Sequence, residues 1–388
     1  MTESYGILAI ELEDRQRYLK CELYVTNSMQ IVRLCPHKLP KKLYSQEIVQ
    51  IPQYLQSLRL TKKFEEKEIR SPYVNIVKMM KKDGEVNIKQ FKKELIKLSK
   101  GIKEILEPIF KRFDIDVNSE KNLAIALDKE TAKIPWELGY FNDSFVHLCD
   151  KINVGRLRIV EDYYWLATKE VKSSDRALVV GINYENSPLS LNGLDYAEDE
   201  AVKIKEILND YDFKVTLLLG EEATKNNILK EIRKGAKIFH FTGHGDMKRK
   251  KSSIFAYDGE LSTQEFASFY ENIGKIPAPN LTFLNACQTS SEFSTKKRKD
   301  DGWESYNWAF TLAENGGRVF IGTLWPINDN KATQLFSCIF YREFLRESKP
   351  LASSLHEARR SVVRKDETAA YAYVLYAPPT LTKKDVME

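Results

Sequence analysis

His240-Phe241-Thr242-Gly243-His244-Gly245 and Leu284-Asn285-Ala286-Cys287-Gln288 each close an apolar run that reads as a buried strand. Lys237-Ile238-Phe239 leads into the first string and Leu281-Thr282-Phe283-Leu284 into the second. Open α/β sheets place their chemistry at the carboxyl ends of parallel strands. A histidine and a cysteine delivered there from neighbouring strands can form a thiol–imidazole dyad. The thiolate attacks, and the imidazole takes up and returns the proton. The first reading is a cysteine peptidase.

Outward from these strings the alternation is regular. Strands are expected at 177–182, 214–219, 318–324 and 371–376, and helices at 195–208, 224–234, 308–313 and 329–345. Thr224 is placed to cap its helix, and Gly316-Gly317 to break the one before it. Strands alternating with helices imply a mostly parallel sheet flanked by helices, an α/β fold. Upstream the pattern changes. Strands at 5–11, 18–26 and 29–34 read as an antiparallel meander. Phe91, Leu95, Leu98, Ile102, Ile105, Leu106 and Ile109 recur near helical spacing over 88–113, and Pro108 is expected to kink that helix or end it early. Residues 62–82 are charged and without a clear pattern. A strand follows at 122–128, then Ile134-Pro135-Trp136-Glu137, with Trp136 read as a core anchor. The polar stretch 168–175 marks the boundary between an N-terminal α+β region, 1–170, and a catalytic region, 171–388.

Composition agrees with a folded chain. Of 388 residues, 43% are hydrophobic and 11% aromatic, enough for a substantial core. Lys and Arg number 60 against 55 Asp and Glu, a net charge of only +5. That excess is too small to argue for nucleic acid, which would enter only indirectly. Lys248-Arg249-Lys250-Lys251 and Lys296-Lys297-Arg298-Lys299 carry much of it and read as solvated loops. No stretch approaches the roughly 18 apolar residues that span a bilayer, so no membrane partner is expected. Met1-Thr2-Glu3-Ser4-Tyr5 lacks a secretory pattern. The five cysteines are scattered without CxxC pairs, which fits a reducing cytoplasm and a free Cys287 thiol.

Within the strings, Gly243 and Gly245 flank His244, so a sharp turn is expected there. The N–H groups of Gly245 and Cys287 are placed to donate to a developing oxyanion, and Ala286 leaves room for a substrate carbonyl. His240 lies inside the apolar strand and reads as a core histidine. His240 and His244 share HxxxH spacing, but that spacing aligns metal ligands only on a helix. Neither a metal nor any other cofactor is expected. Buried cysteines are commonly inert, so Cys287 taken alone leaves a structural role open.

Together these residues resemble the CHAT family, caspase-like peptidases of the clan that includes separase, metacaspases and gingipain. The two strings carry the resemblance. Ile134-Pro135-Trp136-Glu137, Gly193-Leu194 with Tyr196-Ala197 and Glu200-Ala201, 218–224, Gly322-Thr323-Leu324-Trp325-Pro326 with Asp329, and Tyr373-Val374-Leu375-Tyr376 extend it over about 120–378. The resemblance implies a caspase-like fold, His244 as general base and Cys287 as nucleophile. It also implies an acidic residue that selects a basic side chain before the scissile bond. Asp329 sits at that place, with Asp195 and Asp128 as further candidates; alternatively Asp329 caps the helix that follows it. Residues 289–302, rich in lysine, are either a self-cleavage site or an ordinary exposed loop. No tetratricopeptide repeats are visible, and the N-terminal region is analogous to the inactive protease-like half of separase-type relatives. A protein substrate, regulation by a partner protein or signal, and a role in prokaryotic defence or cell death are implied. A non-catalytic CHAT-like scaffold binding partners through the same cleft is the alternative, and an acyltransferase using the same dyad also stays open.

Overall fold

Short aliphatic strands alternating with amphipathic helices organise both parts of the chain. The computed structural model describes residues 5–13, 18–26, 53–59, 66–81, 86–116, 118, 121–127, 131–141, 146–158, 175–248, 251–273, 278–287, 308–346 and 349–387. Two compact units result. One comprises Met1–Met79, Gly84–Leu166 and Ala377–Leu381, the other Met80–Asp83, Ala167–Tyr376 and Thr382–Glu388.

In the first unit, β1 (Tyr5–Glu13), β2 (Tyr18–Thr26) and β3 (Gln53–Arg59) pair antiparallel, β2 in the middle. Helices α1 (Glu66–Met80) and α2 (Ile88–Phe113) follow. Then come β4 (Asn122–Leu127), a short hairpin of β5 (Tyr140–Phe141) and β6 (Val146–His147), and β7 (Asn153–Arg158). β4 lies parallel between β1 and β7. The strand expected at 29–34 lies outside the described residues. Helix α1 occupies the stretch whose pattern was not readable; its buried Ile69, Tyr73, Ile76 and Val77 are diluted by lysines and by Pro72. Helix α2 corrects the expectation that Pro108 ends the helix early. It runs through that residue to Phe113, because Pro108 is exposed while Ile109, Phe110 and Phe113 continue the buried stripe.

The Pro-Trp-Glu stretch forms a polar knot in this core. Arg156, fully buried on β7, donates to Glu137 through Nε and, at 2.7 Å, through Nη2 to Oε2. Two further N–H groups, on Nη1 and Nη2, reach the carbonyls of Ala132 at 2.9 Å and Ile134 at 3.0 Å. Trp136 is the core anchor read from sequence, with Nε1 donating to Thr131 O at 2.8 Å.

The second unit contains β8 (Arg176–Gly181), α3 (Ala197–Asn209), β9 (Lys214–Leu219), α4 (Lys225–Arg233) and β10 (Ile238–Thr242). A meander of β11 (Gly245–Lys248), β12 (Lys251–Ala256) and β13 (Gly259–Ser262) leads into α5 (Thr263–Ile273) and β14 (Leu281–Asn285). The unit closes with α6 (Trp308–Glu314), β15 (Val319–Thr323), α7 (Lys331–Phe344), α8 (Leu351–Val362), α9 (Glu367–Ala370), β16 (Tyr373–Tyr376) and α10 (Lys383–Met387). Its strands run in the order β16-β15-β14-β10-β8-β9, parallel except β16 against β15. Thr224 caps α4 as expected, Oγ1 accepting Asn227 N–H at 3.2 Å. Helix α7 starts at Lys331, not 329. Asn330 forms the capping box with Thr333, so Asp329 does not cap this helix. Phe283, Phe336, Phe340, Tyr341 and Tyr373 interlock beneath the strand ends, Phe336 stacked on Tyr373 at 3.9 Å.

Candidate active site

Parallel pairing of β10 with β14 sets Thr242 opposite Asn285, the last residue of each strand. His244 and Cys287 each lie two residues further on, so both emerge at the same end of adjacent central strands. Both line one small cleft of about 80 Å³, together with Leu194, Asn285, Ile327 and Asp329.

The chain bends at Gly243 as expected, but neither glycine beside His244 has positive φ, so left-handed backbone is not what requires them. They are there for close approach. A Cβ on Gly245 would lie 2.8 Å from Cys287 O and 3.0 Å from Ala286 Cβ. One on Gly243 would lie 2.7 Å from the Tyr184 hydroxyl. Ala286 is buried against Gly245, and its carbonyl accepts the Thr323 hydroxyl at 2.6 Å. The loop carrying Cys287 is thereby tied to β15.

His244 Nε2 lies 2.8 Å from Asn192 O. A carbonyl only accepts, so Nε2 carries the proton and, in the neutral ring, Nδ1 is the free base. Burial holds the imidazole below its ordinary pKa, and the Asn192 carbonyl opposes this. Burial pushes the Cys287 thiol above its usual range, and the charge of Asp246 acts in the same direction. Hydrogen bonds from the backbone at Ile327 and Gly245 act against it. Sγ–H points to Ile327 O at 4.0 Å. Both shifts favour the uncharged forms, thiol and neutral imidazole.

Asp329 is half-buried in the same cleft. Its Oδ2 accepts Tyr196 N–H at 2.8 Å, at the start of α3, where Tyr196 offers no side-chain cap of its own. Burial nevertheless raises its carboxyl pKa, and the nearby carboxylates of Glu200 and Asp195 add to this. Asp195 is exposed beside the same helix end. Asp128 lies outside the described residues, as does the lysine-rich loop 289–302. His240 is fully buried inside β10, with Nε2 3.1 Å from Glu200 Oε1. Asn285 Nδ2 donates to the same carboxylate at 2.7 and 2.9 Å, and Tyr373 donates to Asn285 Oδ1 at 2.6 Å. That network lies in the sheet and reaches the cleft through Asn285. Sequence reading missed Tyr184, Asn192 and Ile327. The last two act through backbone carbonyls, which leave no side-chain signal. Among the described residues, no group of three or more His, Cys, Asp or Glu could hold a metal, and no helix is long and apolar enough to cross a membrane.

Paired strand ends bearing histidine and cysteine, on a mostly parallel sheet flanked by helices, define the caspase-like cysteine peptidase fold. Residues 99–380 match the CHAT domain family, and the chain belongs to it. No curated protein matches by sequence. Among solved structures, the Arg-specific cysteine proteinase gingipain R (RgpB) is similar at 14% identity and TM-score 0.50, over 73% of this chain and 68% of that one. Separase in the Saccharomyces cerevisiae separase–securin complex is similar at 12% identity and TM-score 0.57. That similarity covers 97% of this chain, which spans 30% of the separase chain.

Proposed function

We propose that this chain is a cysteine endopeptidase that cleaves a protein substrate after Arg or Lys. The observation that carries the reading is the shared end of β10 and β14, with Gly245 N–H beside the Cys287 sulfur. In this mechanism Sγ–H gives its proton to His244 Nδ1 as sulfur attacks the scissile carbonyl. Gly245 N–H and Cys287 N–H hold the oxyanion, a contribution of about 3 kcal/mol per donor. The imidazolium then protonates the leaving amine. Water, deprotonated by His244, hydrolyses the thioester and restores the thiol. A neutral resting pair suits this sequence, because charge develops only when substrate is present.

Asp329 is the selecting carboxylate. One oxygen is committed to α3, which fixes the group, and its remaining lone pairs suit a basic side chain. Asp195 adds negative charge at the rim. The Arg specificity of gingipain R supports this assignment. Regulation by a protein partner or signal has support from the separase–securin pairing. The Sγ–H contact with Ile327 O would break on activation. Cytoplasmic action in prokaryotic defence or cell death, with residues 1–170 as the regulatory, inactive half, completes the reading. The test is a panel of fluorogenic peptides differing at the residue before the bond. Arg and Lys peptides are expected to be cleaved and Asp and Leu peptides spared; equal cleavage of all four would overturn the specificity, and cleavage undiminished in Cys287→Ala the mechanism.

A further inference from the structure

The loop joining β8 to α3 carries a residue that the dyad does not explain. Tyr184 has φ 63°, left-handed backbone that a bulky side chain adopts only at a cost. Strain of this kind persists only where its surroundings hold it, and here they close a ring of contacts around His244. The Tyr184 hydroxyl accepts His244 N–H at 2.9 Å and donates to Phe255 O at 2.5 Å. Phe255 N–H in turn donates to His244 O at 3.0 Å. The phenol packs on the imidazole with ring centroids 4.7 Å apart and planes at 46°. Gly243 is the gap that admits the hydroxyl. Tyr184 is 3% exposed, and burial keeps its phenol protonated.

We propose that Tyr184 is a positioning residue for His244, fixing its backbone and ring plane so that Nδ1 stays open to the cleft it shares with Cys287 while Nε2 is spent on Asn192. This inference rests on the peptidase reading. Tyr184 touches no substrate; it acts through the histidine. A tyrosine kept in costly backbone for packing alone would need no hydrogen bond to the residue it packs against. The hydroxyl is the part that separates the two roles.

The closing experiment uses the full chain and needs no knowledge of the substrate. Iodoacetamide modification of Cys287 is followed by peptide mapping at neutral pH in wild type, His244→Ala, Tyr184→Phe and Tyr184→Ala, with a thermal midpoint for each. His244→Ala should slow modification about a hundredfold, and Tyr184→Phe, which keeps the ring, about fivefold. Tyr184→Ala should approach His244→Ala. On a basic-residue peptide, Tyr184→Phe should lower kcat by about the same fivefold and leave KM within about twofold. If His244→Ala reacts like wild type, the dyad itself is overturned. If His244→Ala is slow while Tyr184→Phe matches wild type in rate and kcat, losing only thermal midpoint, the positioning role is overturned and the dyad stands.

Discussion

Two polar clusters in this chain have opposite characters. In the first unit, the Arg156 guanidinium meets Glu137 and two backbone carbonyls, and its nitrogens are fully committed. In the second, the polar atoms at the ends of β10 and β14 are only partly committed. His244 spends Nε2 on Asn192 and keeps Nδ1, Asp329 spends Oδ2 on Tyr196, and Cys287 Sγ–H makes a long contact with Ile327 O. Satisfied buried groups hold a structure together, whereas a site for chemistry keeps valences open. Ile134-Pro135-Trp136-Glu137 and the two strings were both singled out in the sequence. Only hydrogen-bond partners separate the structural motif from the chemical one.

Replacement breaks that comparison most sharply at Cys287. Cys287→Ala should cut peptide turnover by about 10⁵-fold, by analogy with the loss of other covalent nucleophiles, and leave urea unfolding unchanged. Arg156→Ala should do its damage in stability, stranding Glu137 and costing about 3–5 kcal/mol by denaturant titration; unfolding like wild type would remove the distinction. Asp329→Asn should lower preference for an arginine peptide over its uncharged citrulline analogue by about a hundredfold, read as kcat/KM. Since burial raises the Asp329 carboxyl pKa, that preference should fade with falling pH before an ordinary aspartate would protonate.

The pH profile sharpens the comparison further. With the His244 pKa lowered by burial, the neutral base persists to lower pH, and the acid limb of kcat/KM should fall below 6.5, the ordinary histidine value. A limb above 6.5 would mean that a neighbouring anion holds the imidazolium. The smallest effect is expected at a satisfied group beside the site. Asn330→Ala removes the α7 capping box and should cost about 1 kcal/mol, seen as a lower thermal midpoint with specificity intact.

Much of this architecture is legible in the residues. Lys214–Leu219 and Tyr18–Thr26 are strands with the bounds that alternation and turn residues imply. The two apolar runs are the adjacent parallel strands β10 and β14, as their place before the two strings implies. Legibility fails where distant partners decide the outcome. Pro108 stays within α2 because the buried stripe continues past it. Asp329 leaves its own helix to Asn330 and serves α3, a contact across 133 positions of chain. The meander Gly245–Ser262 was not foreseen, because polar and basic residues at 248–253 hide its period. Tyr184 gave no signal, since left-handed backbone at a tyrosine cannot be anticipated from local sequence.

The central claim is that Cys287, served by His244, attacks the carbonyl after a basic residue held by Asp329. Intact-mass analysis with an arginyl acyloxymethyl ketone tests it most directly, beside an aspartyl analogue and with Cys287→Ala as control. The account predicts one adduct per chain, mapped to Cys287, formed with the arginyl reagent and absent from both controls. Equal labelling by the aspartyl reagent, or an adduct that survives Cys287→Ala, would contradict it.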